Sequence, residues 1–329
     1  VNTPARSLLI LIICALLCLA AVLVALSLGS VALPLADTLA TLRGNGSDLG
    51  RQLVFELRLP RTLNALAVGA LLAVAGAYMQ VLLRNPLADP YILGISSGAA
   101  VGALVGVAAG AAYILRQSLA LAGAVIVMAV VYQFARSERG FAPLRLLLTG
   151  VVIAAGLNAV ISLLLATSDD ASLRGMLFWM MGDLSISTYY PQAVTVAIIG
   201  VVIGVGMGRA LDVLALGATQ ASSLGLSVGA TRRMVYLLAS VMTAAAVTAA
   251  GSIGFVGLVV PHAVRLVIGP GHRLLIPACA LIGGALLVVA DTAARTVLAP
   301  RQLPVGALTA LIGVPFFLLL MRRATLPRN

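Results

Sequence analysis

Nine long stretches of this chain carry no charged residue: Ser7–Ala36, Thr62–Leu83, Tyr91–Leu115, Gln117–Ala135, Leu146–Ser168, Leu184–Gly208, Met234–Val264, Leu274–Ala290 and Gln302–Met321. A helix needs about 20 apolar residues to cross the hydrocarbon core of a bilayer. All but Met234–Val264 match one crossing each. That stretch is too long for one, and it contains Gly251, Gly254, Gly257 and Pro261. It reads as a helix to about Ala250, a Gly-rich break, and a short helix from about Gly257 to Ile268. The expectation is an all-α integral membrane protein with ten transmembrane helices in a single domain, residues 1–329. Composition leaves no soluble alternative: 61% of the residues are hydrophobic and 9% charged, against about 45–50% and 25% in a soluble domain. The first stretch far exceeds the apolar region of a signal peptide and reads as a retained span.

Charge sets the orientation. Every basic residue is Arg, and the net charge is +11. The Arg residues punctuate the ends of apolar runs, which reads as membrane anchoring and excludes nucleic acid as a partner. With the N-terminus inside, 13 of the 21 Arg fall on inside segments, together with only Asp89, Glu138 and Asp212. Cytoplasmic loops carry the excess of basic residues, so both termini are expected in the cytoplasm. The absence of Lys rules out a P-loop, whose Lys reaches the nucleotide phosphates. Any ATP used must be bound by another chain. Cys14, Cys18 and Cys279 all lie in apolar runs and read as packing residues.

Glycine recurs every fourth residue at Gly98, Gly102, Gly106 and Gly110, and again at Gly200, Gly204 and Gly208. That spacing lets helix backbones approach closely in lipid. Asp291 and Arg295 stand at i, i+4 and can pair on the ninth span, which therefore extends past Asp291. Three segments outside the membrane invite a role. Gly29–Leu57 reads as an outer loop with one short helix, ending at Arg58 and Arg61 of the string RLPRT. Cations are disfavoured at a helix N-terminus; these two either snorkel at the interface or form a basic socket for an acidic partner, with Arg295 at the same level. Thr167–Tyr190 holds Asp169, Asp170, Arg174, Trp179, Asp183 and Tyr189–Tyr190, and reads as a surface helix and a turn before Pro191. Arg209–Arg233 is a long inside connection of two short helices, separated at Gly217 and Gly225 and suited to a groove on a cytoplasmic partner.

Two patterns mislead. GISSG, Gly94 to Gly98, has the hydrolase spacing but no strand-to-helix setting. His262 and His272 are not at metal-ligand spacing with carboxylates. No metal and no tightly bound cofactor is expected, and no enzymatic activity of the chain's own.

Longer strings carry a resemblance: RLPRT, GALLAVAGAYMQ (69–80), RNPLADPYILGISSGA (84–99), the Gly-rich 251–281, ADTAARTVLAPRQLPVGALTALIGVPFF (290–317) and Leu224–Gly225. From about residue 50 to 323 the chain resembles the permeases of bacterial ABC importers for iron-siderophore complexes, haem and cobalamin, the FecCD-type or type II importers. The resemblance implies ten helices with an inverted pseudo-repeat of helices 2–5 and 7–10. It implies a permease homodimer with the pathway between the subunits, in the inner membrane. Two ATP-binding cassette subunits bind below, and a periplasmic substrate-binding protein docks above. It assigns Arg58, Arg61 and Arg295 to binding-protein docking. Leu216, Gly217, Ser223, Leu224, Gly225 and Arg232 fall to ATPase coupling. Asn85 and Leu87 match the cytoplasmic constriction, and Thr149, Asn158 and Ser162 are lining positions on helix five. Ala142–Pro143 departs from relatives with polar residues just before that helix. The strings incline slightly towards haem as the cargo. Two rivals stand beside this reading: an ion-coupled secondary transporter, and an intramembrane hydrolase using Ser96 or Ser97.

Overall fold

The computed structural model describes residues 4–29, 31–137, 140–185 and 190–324; Glu138, Arg139, Tyr189 and Arg328 lie outside them. α1 (Pro4–Ser27) is followed by two short helices, α2 (Leu35–Leu42) and α3 (Asp48–Arg51), and by a π turn (Gln52–Arg58) that runs directly into α4 (Leu59–Leu82). A 3-10 turn (Pro90–Leu93) leads to α5 (Ile95–Ala108) and α6 (Tyr113–Ala135). Then β1 (Arg136–Ser137) pairs antiparallel with β2 (Gly140–Phe141). The rest is helical: α7 (Pro143–Thr167), α8 (Asp170–Met180), α9 (Tyr190–Gly206), α10 (Gly208–Ala215), α11 (Ala218–Ser223), α12 (Val228–Ala250), α13 (Val256–Ile268), α14 (His272–Thr296) and α15 (Val305–Ala324).

One expectation is corrected here: the Gly29–Leu57 segment is not a loop with one helix but two short helices and a π-helical turn. Ser47 begins the second by accepting a hydrogen bond from the Gly50 N–H.

Among the described residues, six helical stretches are long and apolar enough to cross a membrane: those ending at Ser27, Leu82, Ala135, Thr167, Ala250 and Thr296. The bent pair α9–α10, with 66° between its axes, passes the same test only when taken together as one span. Three shorter apolar helices remain, α5, α13 and the apolar part of α15. Ten crossings require all three to span as well.

α5 and α13 are short for the same local reason. After α4 the chain turns at Asp89, whose carboxylate accepts the Tyr91 N–H (2.8 Å), and α5 starts from Gly94 at φ +73°. After α12 the chain breaks at Gly251 and Phe255, and α13 starts there. The two breaks meet inside the bundle. The Tyr91 hydroxyl donates to the Ile253 carbonyl (3.1 Å) and accepts the Ile253 N–H (3.0 Å), and Ser96 Oγ donates to Ser252 Oγ (3.2 Å). A long helix, a break and a half-length helix thus occur twice in opposite senses, as an inverted repeat requires. The third span, expected over Tyr91–Leu115, is accordingly confined to Ile95–Ala108.

α4 lies at the centre, buried on all sides from Asn64 to Leu82 apart from Leu66, and packed against α14, α12, α9 and α13. A helix that is apolar all round belongs in a core, and small residues let its neighbours close in. Gly69 faces the backbone of Gly283–Gly284, and Gly76 that of Gly257. The first glycine series makes the backbone contacts its spacing predicts, except at Gly110, whereas Gly200 and Gly204 of the second make room for side chains. Gly98 and Gly102 face the backbone of α6 at Gly123 and Leu119, and Gly200, Gly204 and Gly208 face Met242, Tyr78 and Arg273. Gly110 touches nothing and merely ends the turn after α5 at φ +62°. Asp169 caps α8, and hydrogen bonds from Ser172 hold its carboxyl below the usual carboxylate range.

Candidate functional site

Arg58 and Arg61 sit three residues apart at the head of α4, so they point about 60° apart around its axis. They go to different places. Arg58 is buried. It donates to the Leu26 carbonyl (2.7 Å), the Ser27 carbonyl (3.0 Å) and the Val31 carbonyl. These include the last carbonyls of α1, which have no partner within their own helix. Arg58 therefore ties α1 to α4. Replacing it with Met should lower stability by about 2–3 kcal/mol, the order expected for lost charged hydrogen bonds. Thermal unfolding in detergent measures this; an unchanged midpoint would contradict the tie.

Arg61 turns towards α14. It meets Asp291 through Nε (3.1 and 3.0 Å) and Nη2 (2.8 Å), and donates to Gln302 Oε1 (3.1 Å). Arg295 approaches the other side of the same carboxylate at 3.2 Å, as the i, i+4 spacing predicts. Asp291 is 2% exposed, against 12% and 10% for the two Arg side chains. One buried carboxylate between two cations leaves the cluster positive, and it makes a cation tolerable at the α4 N-terminus. Beside it lies a cavity of about 150 Å³, to which Asp183, Ser185, Gln302 and Pro304 contribute.

At the other end of the bundle, α10 and α11 leave the membrane helices as two short helices with Gly217 between them and Gly225 beyond. Gly217 has φ +112° and Gly225 φ +82°, conformations that glycine adopts without strain. Leu216 is 52% and Leu224 65% exposed. Two large apolar side chains thus stand exposed on this segment, a candidate contact surface. Ser223 Oγ donates back to the Thr219 carbonyl (3.1 Å), which leaves it on the surface. Arg232, in the first turns of α12, lies near Arg84. Arg84 was missed as a site residue, although it directly precedes Asn85. It holds φ +50°, and its guanidinium covers Gly217, so that a Cβ there would stand 2.9 Å from Nη1.

The path positions fall into two groups. Asn85 Oδ1 accepts the Leu87 N–H (2.9 Å) and fixes an exposed turn, with Leu87 on the surface. On α7, Ser97 Oγ of α5 donates to Asn158 Oδ1 (3.4 Å), and Ser162 Oγ donates to the Asn158 carbonyl (2.9 Å). Asn158 and Ser162 share one exposed face, whereas Thr149 lies about half a turn away around the helix. α7 buries only Leu146, Gly150 and Ile161 within this chain. Pro143 stands at its first turn, where a missing N–H is tolerated. Ser96 and Ser97 are tied to Ser252 and Asn158, with neither a His nor a carboxylate as partner in those bonds.

A multi-span bundle with a buried cation cluster at one end and an exposed, leucine-bearing segment at the other is built as a membrane permease. Residues 16–323 match the FecCD transport family. The chain belongs to that family, an ABC transporter permease family. It is 45% identical, over 84% of its length and 74% of the relative's, to the cobalamin import system permease protein BtuC of Halobacterium salinarum. It is 39% identical, over 84% and 86%, to the vitamin B12 import system permease protein BtuC of Escherichia coli O6:H1. A solved structure of an inward-facing metal-chelate type ABC transporter superposes with a TM-score of 0.84 at 30% identity, covering 96% of this chain and 99% of the other.

Proposed function

We propose that the chain is the permease subunit of an ATP-driven importer for a bulky metal chelate, with cobalamin the first cargo to test. It crosses the inner membrane ten times, α5, α13 and α15 included, with both termini in the cytoplasm. Two copies enclose the pathway, with Asn158 and Ser162 lining it and Asn85 and Leu87 at its cytoplasmic constriction. Two ATP-binding cassette subunits grip the segment from Leu216 to Arg232 on each copy. A periplasmic substrate-binding protein lays acidic side chains on Arg61 and Arg295, while Arg58 holds α1 in place beneath. The observation that carries this reading is the exposure of Leu216 and Leu224 around Gly217 on the arginine-rich side, which gives a separate ATPase something to hold.

Support for the cargo comes from the relatives named above, both cobalamin permeases. The slight inclination of the strings towards haem has no counterpart among them. Haem and iron-siderophore are the comparison cargoes. The ion-coupled alternative needs an ionisable group free to exchange along the path, and Asp291 is instead clamped by two arginines.

The test is uptake into proteoliposomes that contain the permease with its ATPase and binding-protein partners. Labelled cobalamin should accumulate only with ATP inside the compartment that holds the ATPase, and an uncoupler should leave uptake unchanged. Uptake that collapses with the uncoupler while ATP persists would contradict the proposal. Accumulation of haem but not cobalamin would move the cargo assignment alone.

A further inference from the structure

α4 and α14 pack closely against each other, and between them they touch both proposed partner surfaces. At the outer end Arg61 of α4 is paired with Asp291 of α14 at 2.8 Å. In the middle the backbones touch: a Cβ on Gly69 would stand 2.2 Å from the Gly283 carbonyl oxygen, and one on Gly283 2.5 Å from that of Gly69. At the inner end each helix makes its own attachment to the segment after α9. Arg84, two residues past α4, covers Gly217. His272, the first residue of α14, donates its backbone N–H to Asp212 Oδ1 of α10 (2.9 Å), and its ring Nδ1 lies 2.6 Å from the same oxygen. Asp212 also sits where a carboxylate complements the N-terminus of α14. Asp212 and His272 are 60 residues apart in sequence, and neither was singled out by spacing or by resemblance. From His272 to Asp291 the helix rises about 28 Å at 1.5 Å per residue.

We infer that α4 and α14 move as one strut, and that the Asp212–His272 contact is the latch joining this strut to the ATPase-facing segment. Docking at Arg61 and Arg295 then reaches the ATPases by displacing the strut rather than by loosening the bundle. His272 is a positioning residue in this scheme: it touches neither cargo nor nucleotide and acts through Asp212. The inference rests on the importer reading, because it needs both partners.

Allosteric coupling is reciprocal: if docking alters nucleotide binding, nucleotide alters docking by the same factor. The experiment uses the whole complex in proteoliposomes and measures three quantities. These are the basal ATPase rate, its stimulation by the docked binding protein, and the affinity of that protein with and without a non-hydrolysable ATP analogue. In His272→Ala the basal rate and the nucleotide-free docking affinity should stay within about two-fold of the unaltered complex. The nucleotide effect on docking should shrink by about five-fold or more, the lower bound of typical coupling between binding sites, and the stimulation should shrink with it. Asp212→Asn keeps an acceptor for both His272 nitrogens and should retain most of the coupling. If His272→Ala fails to assemble, Asp212→Ala, altered on a half-exposed side chain, reads the same two coupling quantities. Unchanged stimulation and unchanged nucleotide dependence in the alanine variant would overturn the latch. An unaltered complex in which docking never stimulates hydrolysis would also overturn the relay, whereas failure of ATP-dependent uptake would instead count against the importer reading.

Discussion

Asp291→Ala should be the most damaging single substitution in the half of the bundle that holds the Arg61–Asp291–Arg295 cluster. The carboxylate is 2% exposed and stands between Arg61 and Arg295. Removing it leaves two largely buried guanidinium groups facing each other with no counter-charge. Breaking a buried ion pair from one side costs about 3–5 kcal/mol, because the remaining charge stays desolvated. Arg61 keeps only Gln302 as a side-chain partner, and Arg295 keeps the Ala25 carbonyl (3.3 Å) and Thr292 Oγ1 (3.4 Å). Asp291→Asn retains the shape and an acceptor but loses the charge, and should fall between the two. Thermal unfolding of the detergent-solubilised protein measures the series. An alanine variant within about 1 kcal/mol of the unaltered chain, the usual range of an exposed pair, would show that the cluster is solvated. The structural role of Asp291 would then be wrong.

Gly76→Val should be nearly as severe, for a reason of volume alone. Gly76 faces the backbone of Gly257, and an ideal Cβ would stand 1.8 Å from the Gly257 carbonyl oxygen. No side-chain rotation relieves a contact with backbone. α4 and α13 must separate, and with them the Tyr91–Ile253 and Ser96–Ser252 ties between the two breaks. Overpacking a core costs about 1–3 kcal/mol where side chains can adjust; here the cost should lie at or above the upper figure. Gly206→Ala is the control. It meets nothing within 4 Å, so the higher helix propensity of Ala should leave stability unchanged or raised by up to about 1 kcal/mol. The yield of folded protein and the unfolding midpoint of both variants check the pair. Equal behaviour would mean that α4 and α13 are not in backbone contact.

How much of this was legible in the sequence follows from the range of each interaction. The spans were visible because apolar runs are local, and the break after Ala250 because glycine and proline mark it. The Asp291–Arg295 pair was visible because i, i+4 neighbours on a helix share a face. Arg61–Asp291 and Asp212–His272 were not, because nothing local ties residues 230 or 60 positions apart. The different fates of Arg58 and Arg61 were hidden for the same reason: their partners lie on α1 and α14. The π turn before α4 and the mid-bundle starts of α5 and α13 are set by what packs against them, and an uncharged run looks the same whether or not it crosses as one helix. Of the three α7 positions, helical arithmetic already separates Thr149 from Asn158 and Ser162, and the structure places only the latter two on one exposed face.

Everything proposed about partners depends on which side of the membrane each end of the strut faces. Accessibility of two single cysteines to a membrane-impermeant thiol reagent measures this. Thr219→Cys lies in α11 between the exposed leucines, and Gln302→Cys lies beside the Arg61 cluster; the native Cys14, Cys18 and Cys279 are buried. In sealed, right-side-out cells Gln302→Cys should label and Thr219→Cys should not, and inside-out vesicles should reverse the pattern. Labelling of Thr219→Cys from the outside of intact cells would put the ATPase-facing segment where there is no ATPase, and would contradict the account.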